Sequence, residues 1–143
     1  MLFAMLQRMF ERLVVACLSV VIMGGLLSCR GKEGPQPSEI AAHTAKIYYD
    51  HLLKGEYGQF LEGKSLPNKV PESYRKQMIE VYKVYISRQD SLHKGIDSVT
   101  INDAKYSAKH KTANVFLTLH FGDATHEEVL VPMIQKRGTW YMR

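Results

Sequence analysis

Cysteine is nearly absent from this chain: among 143 residues there are two, Cys17 and Cys29. At most one disulfide is possible, so no disulfide frame holds the fold, and no set of cysteines is available for a structural zinc site. Other signatures are missing as well. There is no glycine-rich phosphate loop, no serine nucleophile elbow and no pair of carboxylates at catalytic spacing. There are no internal repeats. Charge is mildly one-sided, with 19 Lys and Arg against 14 Asp and Glu and a formal net charge of +5. The basic residues are scattered along the sequence rather than gathered into a stripe, which excludes nucleic acid as a partner. The length allows one domain.

One long apolar run is present, from Leu13 to Leu27, preceded by Arg8 and Arg12. At about 15 residues it suits the apolar region of a signal peptide and is short for a membrane-crossing helix of about 20. Leu26-Leu27-Ser28-Cys29 follows. This resembles the bacterial lipobox, in which cleavage falls between a small residue, here Ser28, and the cysteine that receives lipid, here Cys29. The resemblance implies a signal peptide over residues 1–28 and a membrane partner reached through lipid on Cys29. More than one acyl chain on that residue gives stable anchoring. Cys17 leaves with the signal peptide, so the mature chain has one cysteine and no disulfide. Setting aside Arg8, Arg12 and Glu11 leaves 17 basic and 13 acidic residues, for which anionic headgroups beside the anchor are the natural partner. Residues 29–37, ending in Arg30-Gly-Lys-Glu-Gly-Pro-Gln-Pro37, read as the lipidated cysteine and a flexible tether. The absence of aspartate after Cys29 implies, by resemblance to enterobacterial sorting, the outer membrane rather than the inner. The expected localisation is the cell envelope.

Residues 38–143 read as one α+β domain. Ser38 is an expected N-cap, and Ala41, Ala45, Tyr48 and Leu52 recur at helical spacing up to Gly55. A second short helix is predicted over Glu56 to Leu61, before Gly63. Pro71 opens a third, in which Tyr74, Met78, Val81, Tyr85 and Leu92 form a stripe ended by Gly95. The period then changes from 3.6 to 2. Val99 and Ile101 have opposite parity to Ala104, Tyr106 and Ala108, which predicts a bulge near Asn102-Asp103 that keeps both sets on one face. Val115, Leu117, Leu119 and Phe121 line one side of the next strand. Gly122-Asp123 suits a two-residue hairpin turn, which sets His126 opposite Leu119, puts His120 and His126 on opposite faces and brings Val129 near Phe116. A third strand runs from Ala124 to about Lys136, where Pro132 predicts an edge or a bulge, and Trp140 to Met142 close the sheet.

Three helices packed on a curved four-stranded antiparallel sheet, the segment Lys54-Gly-Glu-Tyr-Gly-Gln-Phe60 and the ending Gln135-Lys-Arg-Gly-Thr-Trp-Tyr141 resemble the nuclear-transport-factor-two-like (NTF2-like) superfamily. With the lipobox, the nearer resemblance is to small Bacteroidetes-type lipoproteins. The resemblance covers roughly Glu39 to Arg143 and implies a cone-like, cystatin-like α+β fold with a pocket whose contents vary between members. Residues placed to line such a pocket are Tyr48, His51, Tyr82, Tyr85 and His120. None matches a family catalytic motif, and tyrosines at these positions serve equally as core residues with hydroxyls at the rim. No catalytic residue, metal or cofactor is expected. The leading reading is an envelope lipoprotein whose non-catalytic domain binds a small apolar ligand or a protein partner, with a homodimer through the sheet around Phe116. The alternatives are a pocket enzyme of isomerase or cyclase type, and a structural accessory subunit of a surface complex.

Overall fold

The structure, a computed structural model, describes residues 34–143, and Pro35–Arg143 forms one compact unit. The signal peptide, Ser28, Cys29 and most of the tether lie outside the described residues. The first helix, α1 (Pro37–Leu53), starts two residues earlier than an N-cap at Ser38 would have it, with Gln36 in the capping position. Pro37 takes the first helical position, where its missing N–H is no loss, and the Gln36 N–H donates to Glu39 Oε2 at 3.2 Å. Lys54 caps the other end and Gly55, at φ 76°, turns the chain in the left-handed region. Then come α2 (Tyr57–Glu62) and α3 (Glu72–His93). Four strands complete the chain in meander order: β1 (Ile96–Ser107), β2 (Thr112–Phe121), β3 (His126–Lys136) and β4 (Thr139–Met142), all antiparallel.

The helices cover one face of the sheet. Ala41, Ala42 and Ala45 are buried on α1, and their small side chains let the helix axis lie close to β1 and β2. Against them stand Val115, Leu117 and Leu119 from β2, Val131 and Met133 from β3, and Trp140 and Met142 from β4. Full burial of each such side chain contributes about 1.5–3 kcal/mol. The bulge falls where the parity of β1 predicts it. Ile101 pairs with Leu117 and Asp103 with Phe116, so Asn102 is the surplus residue. Asp103 Oδ1 accepts from the Ala104 N–H at 2.8 Å.

Three sequence expectations are corrected. The β2–β3 connection has three residues, Gly122, Asp123 and Ala124: the Phe121 N–H donates to Thr125 O, the Ala124 N–H donates to Phe121 O, and Ala124 sits at φ 67°. The register therefore slips by one. His120 faces His126 on the same side, and Phe116 faces Leu130 rather than Val129. Pro132 needs neither an edge nor a bulge. Its carbonyl accepts from the Arg143 N–H just past the last β3–β4 pair, so its missing donor falls outside the ladder. Finally, the stripe on α3 is not its buried face. Tyr82 alone on that helix is buried, while Tyr74, Val81 and Leu92 are exposed.

Candidate functional site

The side chains expected to line an internal pocket instead fill the space between helices and sheet. The Tyr48 hydroxyl donates to Trp140 O at 2.9 Å, and its ring lies so close to Gly63 that a Cβ there would meet it at 2.6 Å. Phe60 sits between Tyr49 and Tyr82 with edge-to-face contacts at 5.5 and 4.9 Å. Tyr82 is buried, and its hydroxyl has no hydrogen-bond partner among the described residues. Tyr85 packs against the same core. Burial raises the pKa of Tyr48, Tyr82 and Tyr85, with smaller contributions from Tyr141, Tyr74 and Glu127 respectively. Burial, reinforced by Tyr85, pushes Tyr49 up to about 12. Neutral phenols packed ring to ring make a core and supply no base.

The two histidines are elsewhere. His51 Nδ1 lies 2.5 Å from Glu56 Oε2, at the approach to α2. His120 is on the outer face of the sheet, away from the helices, where its Nε2 lies 2.8 Å from Thr100 Oγ1. The ring of His126 is 6.5 Å from that of His120. Among the described residues no three His, Cys, Asp or Glu side chains converge as metal ligands. The five predicted residues are thus divided: three tyrosines in the core, one histidine at a helix connection and one on the outer sheet face.

The concavity of this domain opens at one end, where the α2–α3 loop meets the β3–β4 turn. It is a surface cleft of about 1020 Å³. Its geometry follows from two local devices. After α2, residues 63–65 run beside β4: the Met142 N–H donates to Gly63 O at 2.8 Å and the Ser65 N–H to Met142 O at 2.7 Å, so Lys64 forms a parallel bridge with Met142. Opposite, Lys136 pairs with Thr139 across Arg137 and Gly138, both at positive φ (50° and 80°). That is the primed two-residue turn that suits strand twist, and arginine occupies a position that Asn or Gly ordinarily takes.

Five cations line this cleft: Lys64, Lys69, Arg75, Lys136 and Arg137. Among the described residues Glu62 is the one carboxylate in the lining, and it is engaged by Arg75 at 3.3 Å. Lys64 is partly buried, and its ammonium lies 5.2 Å from the centroid of the Phe60 ring, a cation–π contact. Burial lowers its pKa. The charges that look scattered along the sequence are gathered in space, from positions separated by some seventy residues. Sequence reasoning had no signal for this cluster.

Helices on one face of a curved antiparallel meander, in this order, define an NTF2-like fold. The chain is similar in structure to a Campylobacter jejuni protein provisionally named an NTF2-like transpeptidase, whose crystal structure was determined at 2.00 Å. The TM-score is 0.57 at 12% sequence identity, over 70% of this chain and 94% of that one. At that identity the likeness shows the fold alone. No family of known sequences and no curated protein matches this chain.

Proposed function

We propose that this chain is a lipid-anchored protein of the bacterial cell envelope, held by lipid on Cys29, whose NTF2-like domain works as a binding module. One observation supports the binding role above others: the helix–sheet interior is filled by side chains, while an open cleft stands at the end of the sheet. The anchor rests on Leu26-Leu27-Ser28-Cys29 and the apolar run before it, and residue 30, an arginine, supports the outer membrane. The cleft lining is more cationic than the apolar ligand expected from sequence would need. Peptide transfer, the activity in the C. jejuni protein's name, would need a nucleophile beside a base. Among the described residues the hydroxyl–histidine pair is Thr100 and His120, on the outer face of the sheet and outside the cleft lining. Intact mass spectrometry of protein made in a bacterial host tests the anchor. The expected mass starts at Cys29 with acyl chains added, and Cys29→Ser loses them. An unmodified full-length product would overturn it.

A second reading, self-association as part of a surface assembly, is favoured by α3. Tyr74, Met78, Val81, Tyr85, Arg88 and Leu92 follow alternating four- and three-residue steps, the spacing of a coiled-coil seam. Tyr74, Val81 and Leu92 on it are exposed. Antiparallel pairing with a second copy about Lys83 sets Tyr74 against Leu92, Met78 against Arg88 and Val81 against Tyr85, and it separates the two Arg88 charges. Sedimentation distinguishes this from a sheet-face dimer: Val81→Asp dissolves the first, Leu130→Asp the second, and a monomer at high concentration removes both.

A further inference from the structure

We propose that the cleft between the α2–α3 loop and the β3–β4 turn is a binding site for a multiply charged anion bearing phosphate or carboxylate groups, with Lys64 as its inner contact. The inference deepens the binding-module reading and rests on it.

The charge balance of the cleft comes first. Cations from three separate segments meet at one concavity, and the lining offers one carboxylate, already paired with Arg75. Nothing in the packing of the domain requires this. Lys69, Lys136 and Arg137 are exposed, and the core is complete without them. Gathering like charges raises the energy of the empty protein, and a bound anion offsets it.

Lys64 is the second point. A partly buried ammonium with no carboxylate partner among the described residues has lost water without gaining a counter-ion from them. Its contact with Phe60 compensates in part and leaves its donors free to meet a ligand. The backbone at Lys64 is held by the bonds that its neighbours Gly63 and Ser65 make to Met142, so the charge is positioned before any ligand arrives. Preorganised charge of this kind favours binding because little ordering remains to be done.

The residue types narrow the ligand. Lysines act as point charges toward phosphate, and arginine forks match phosphate and carboxylate geometry. Hydroxyls of Thr139 and Tyr141 also line the cleft and supply neutral donors. A volume of about 1020 Å³ is at the upper end for small-ligand sites and far exceeds one phosphate, so several anionic groups are accommodated together. That chemistry is shared by anionic lipid headgroups and by soluble phosphorylated or carboxylated molecules.

The test uses the full chain in detergent, ¹⁵N-labelled, titrated at low salt with inorganic pyrophosphate, with citrate and with neutral maltose. Saturable amide shifts at Lys64, Asn68 and Arg137 with the two anions and not with maltose are expected, and added sodium chloride should weaken them. Lys64→Gln should raise the dissociation constant about tenfold, and Lys94→Gln, at the end of α3 remote from the cleft, should not change it. Should Lys64→Gln fail to fold, the double variant Lys136→Gln/Arg137→Gln on the exposed turn carries the same expectation. Equal shifts with maltose and pyrophosphate would overturn the anion and leave the binding module standing. No shift with any probe would overturn both. The same protein in phosphatidylcholine vesicles with and without phosphatidylglycerol separates the sources. Cleft shifts that appear with phosphatidylglycerol and are competed by pyrophosphate identify a headgroup, and shifts with pyrophosphate alone identify a soluble ligand.

Discussion

Deleting one residue from β1 should be nearly harmless at one position and damaging two positions earlier. Asn102 is the surplus residue of the bulge: Ile101 pairs with Leu117, and Asp103 with the next residue of β2, Phe116. Removing Asn102 therefore leaves Val99, Ile101, Ala104 and Tyr106 in strict alternation and still facing the helices. The loss is the hydrogen bond from Asn102 Nδ2 to Glu128 Oε2, which is exposed and contributes below about 1 kcal/mol. The irregularity between Ile96 and Ser98 continues to bend the strand. Removing Thr100 has a different consequence. To keep Val99 and Ala104 in place, Ile101 must turn to the outer face and Asn102 must turn inward opposite Leu117. Ile101 is half-buried, so its exposure costs about 1–2 kcal/mol, and an inward amide without partners adds about 1–3. The total is roughly 3 kcal/mol. Trp140, the single tryptophan and a buried one, reports urea unfolding by fluorescence. With a slope of about 1.5 kcal/mol per molar, the Thr100 deletion should lower the midpoint by about 2 M and the Asn102 deletion by less than about 0.7 M. Equal losses from the two deletions would refute the assignment of Asn102 as the surplus residue.

Gly63→Ala tests the contact between α1 and the end of α2. Gly63 has φ −71°, open to any residue, so the cost is the clash with the Tyr48 ring at 2.6 Å, about 1–3 kcal/mol; an unchanged melting temperature would show that the ring moves aside freely. Tyr82→Phe removes a buried hydroxyl that has no partner among the described residues, and calorimetry should find the variant at least as stable as the parent, whereas a loss above about 1 kcal/mol would mean that the hydroxyl is bonded. Asp123 is held down to about 2 from 3.8 by the Thr125 hydroxyl first, then His93 and the Thr125 N–H. Because its folded pKa is depressed, its stabilisation is complete above about pH 4 and is lost as pH falls toward 2. Asp123→Asn should flatten stability across that window in acid titrations, and an identical pH profile for parent and variant would contradict the pairing.

The sheet was legible where its pattern is local. Opposite parity on either side of Asn102 is enough to place a bulge, because a pleated strand has no other way to keep Val99 and Tyr106 on one face. The β2–β3 turn was not legible. A glycine-first pair promises a two-residue turn, but Gly122 and Asp123 are bound from outside the hairpin: the Gly122 N–H donates to Gly95 O, the Asp123 N–H donates to His93 O, and Asp123 Oδ2 lies 2.9 Å from His93 Nδ1. Docking on the end of α3 holds the longer loop and places Ala124 in the left-handed region, a tertiary constraint that overrides turn preference. The stripe on α3 misled for a related reason. Its apolar residues span more than one face of the helix, and spacing alone does not tell which face meets Phe60. The structure turns Tyr82 inward and leaves Val81 and Leu92 out.

The same reasoning explains why the site could not be read from sequence while its framework could. Tyr48 and Tyr85 lie on stripes of helical spacing and Tyr82 lies beside one, but spacing cannot say whether the space they face is hollow. Here Phe60, rising from α2, occupies the space that a pocket would need between Tyr49 and Tyr82. Filling the cone moves the usable concavity to its rim, where the chain is contributed by loops. Rim residues follow no period of 2 or 3.6, so Lys64, Lys69, Arg75, Lys136 and Arg137 look like ordinary surface charge until the bridge between Lys64 and Met142 is formed. That bridge also argues against a chance cluster. A lysine on a mobile loop would swing its charge into water, whereas Lys64 is tied to the edge of the sheet, its ammonium over an aromatic ring and without a counter-ion among the described residues. Phe60 thus acts in two places: its edge contacts close the interior, and its ring supports the charge that makes the rim attractive to an anion.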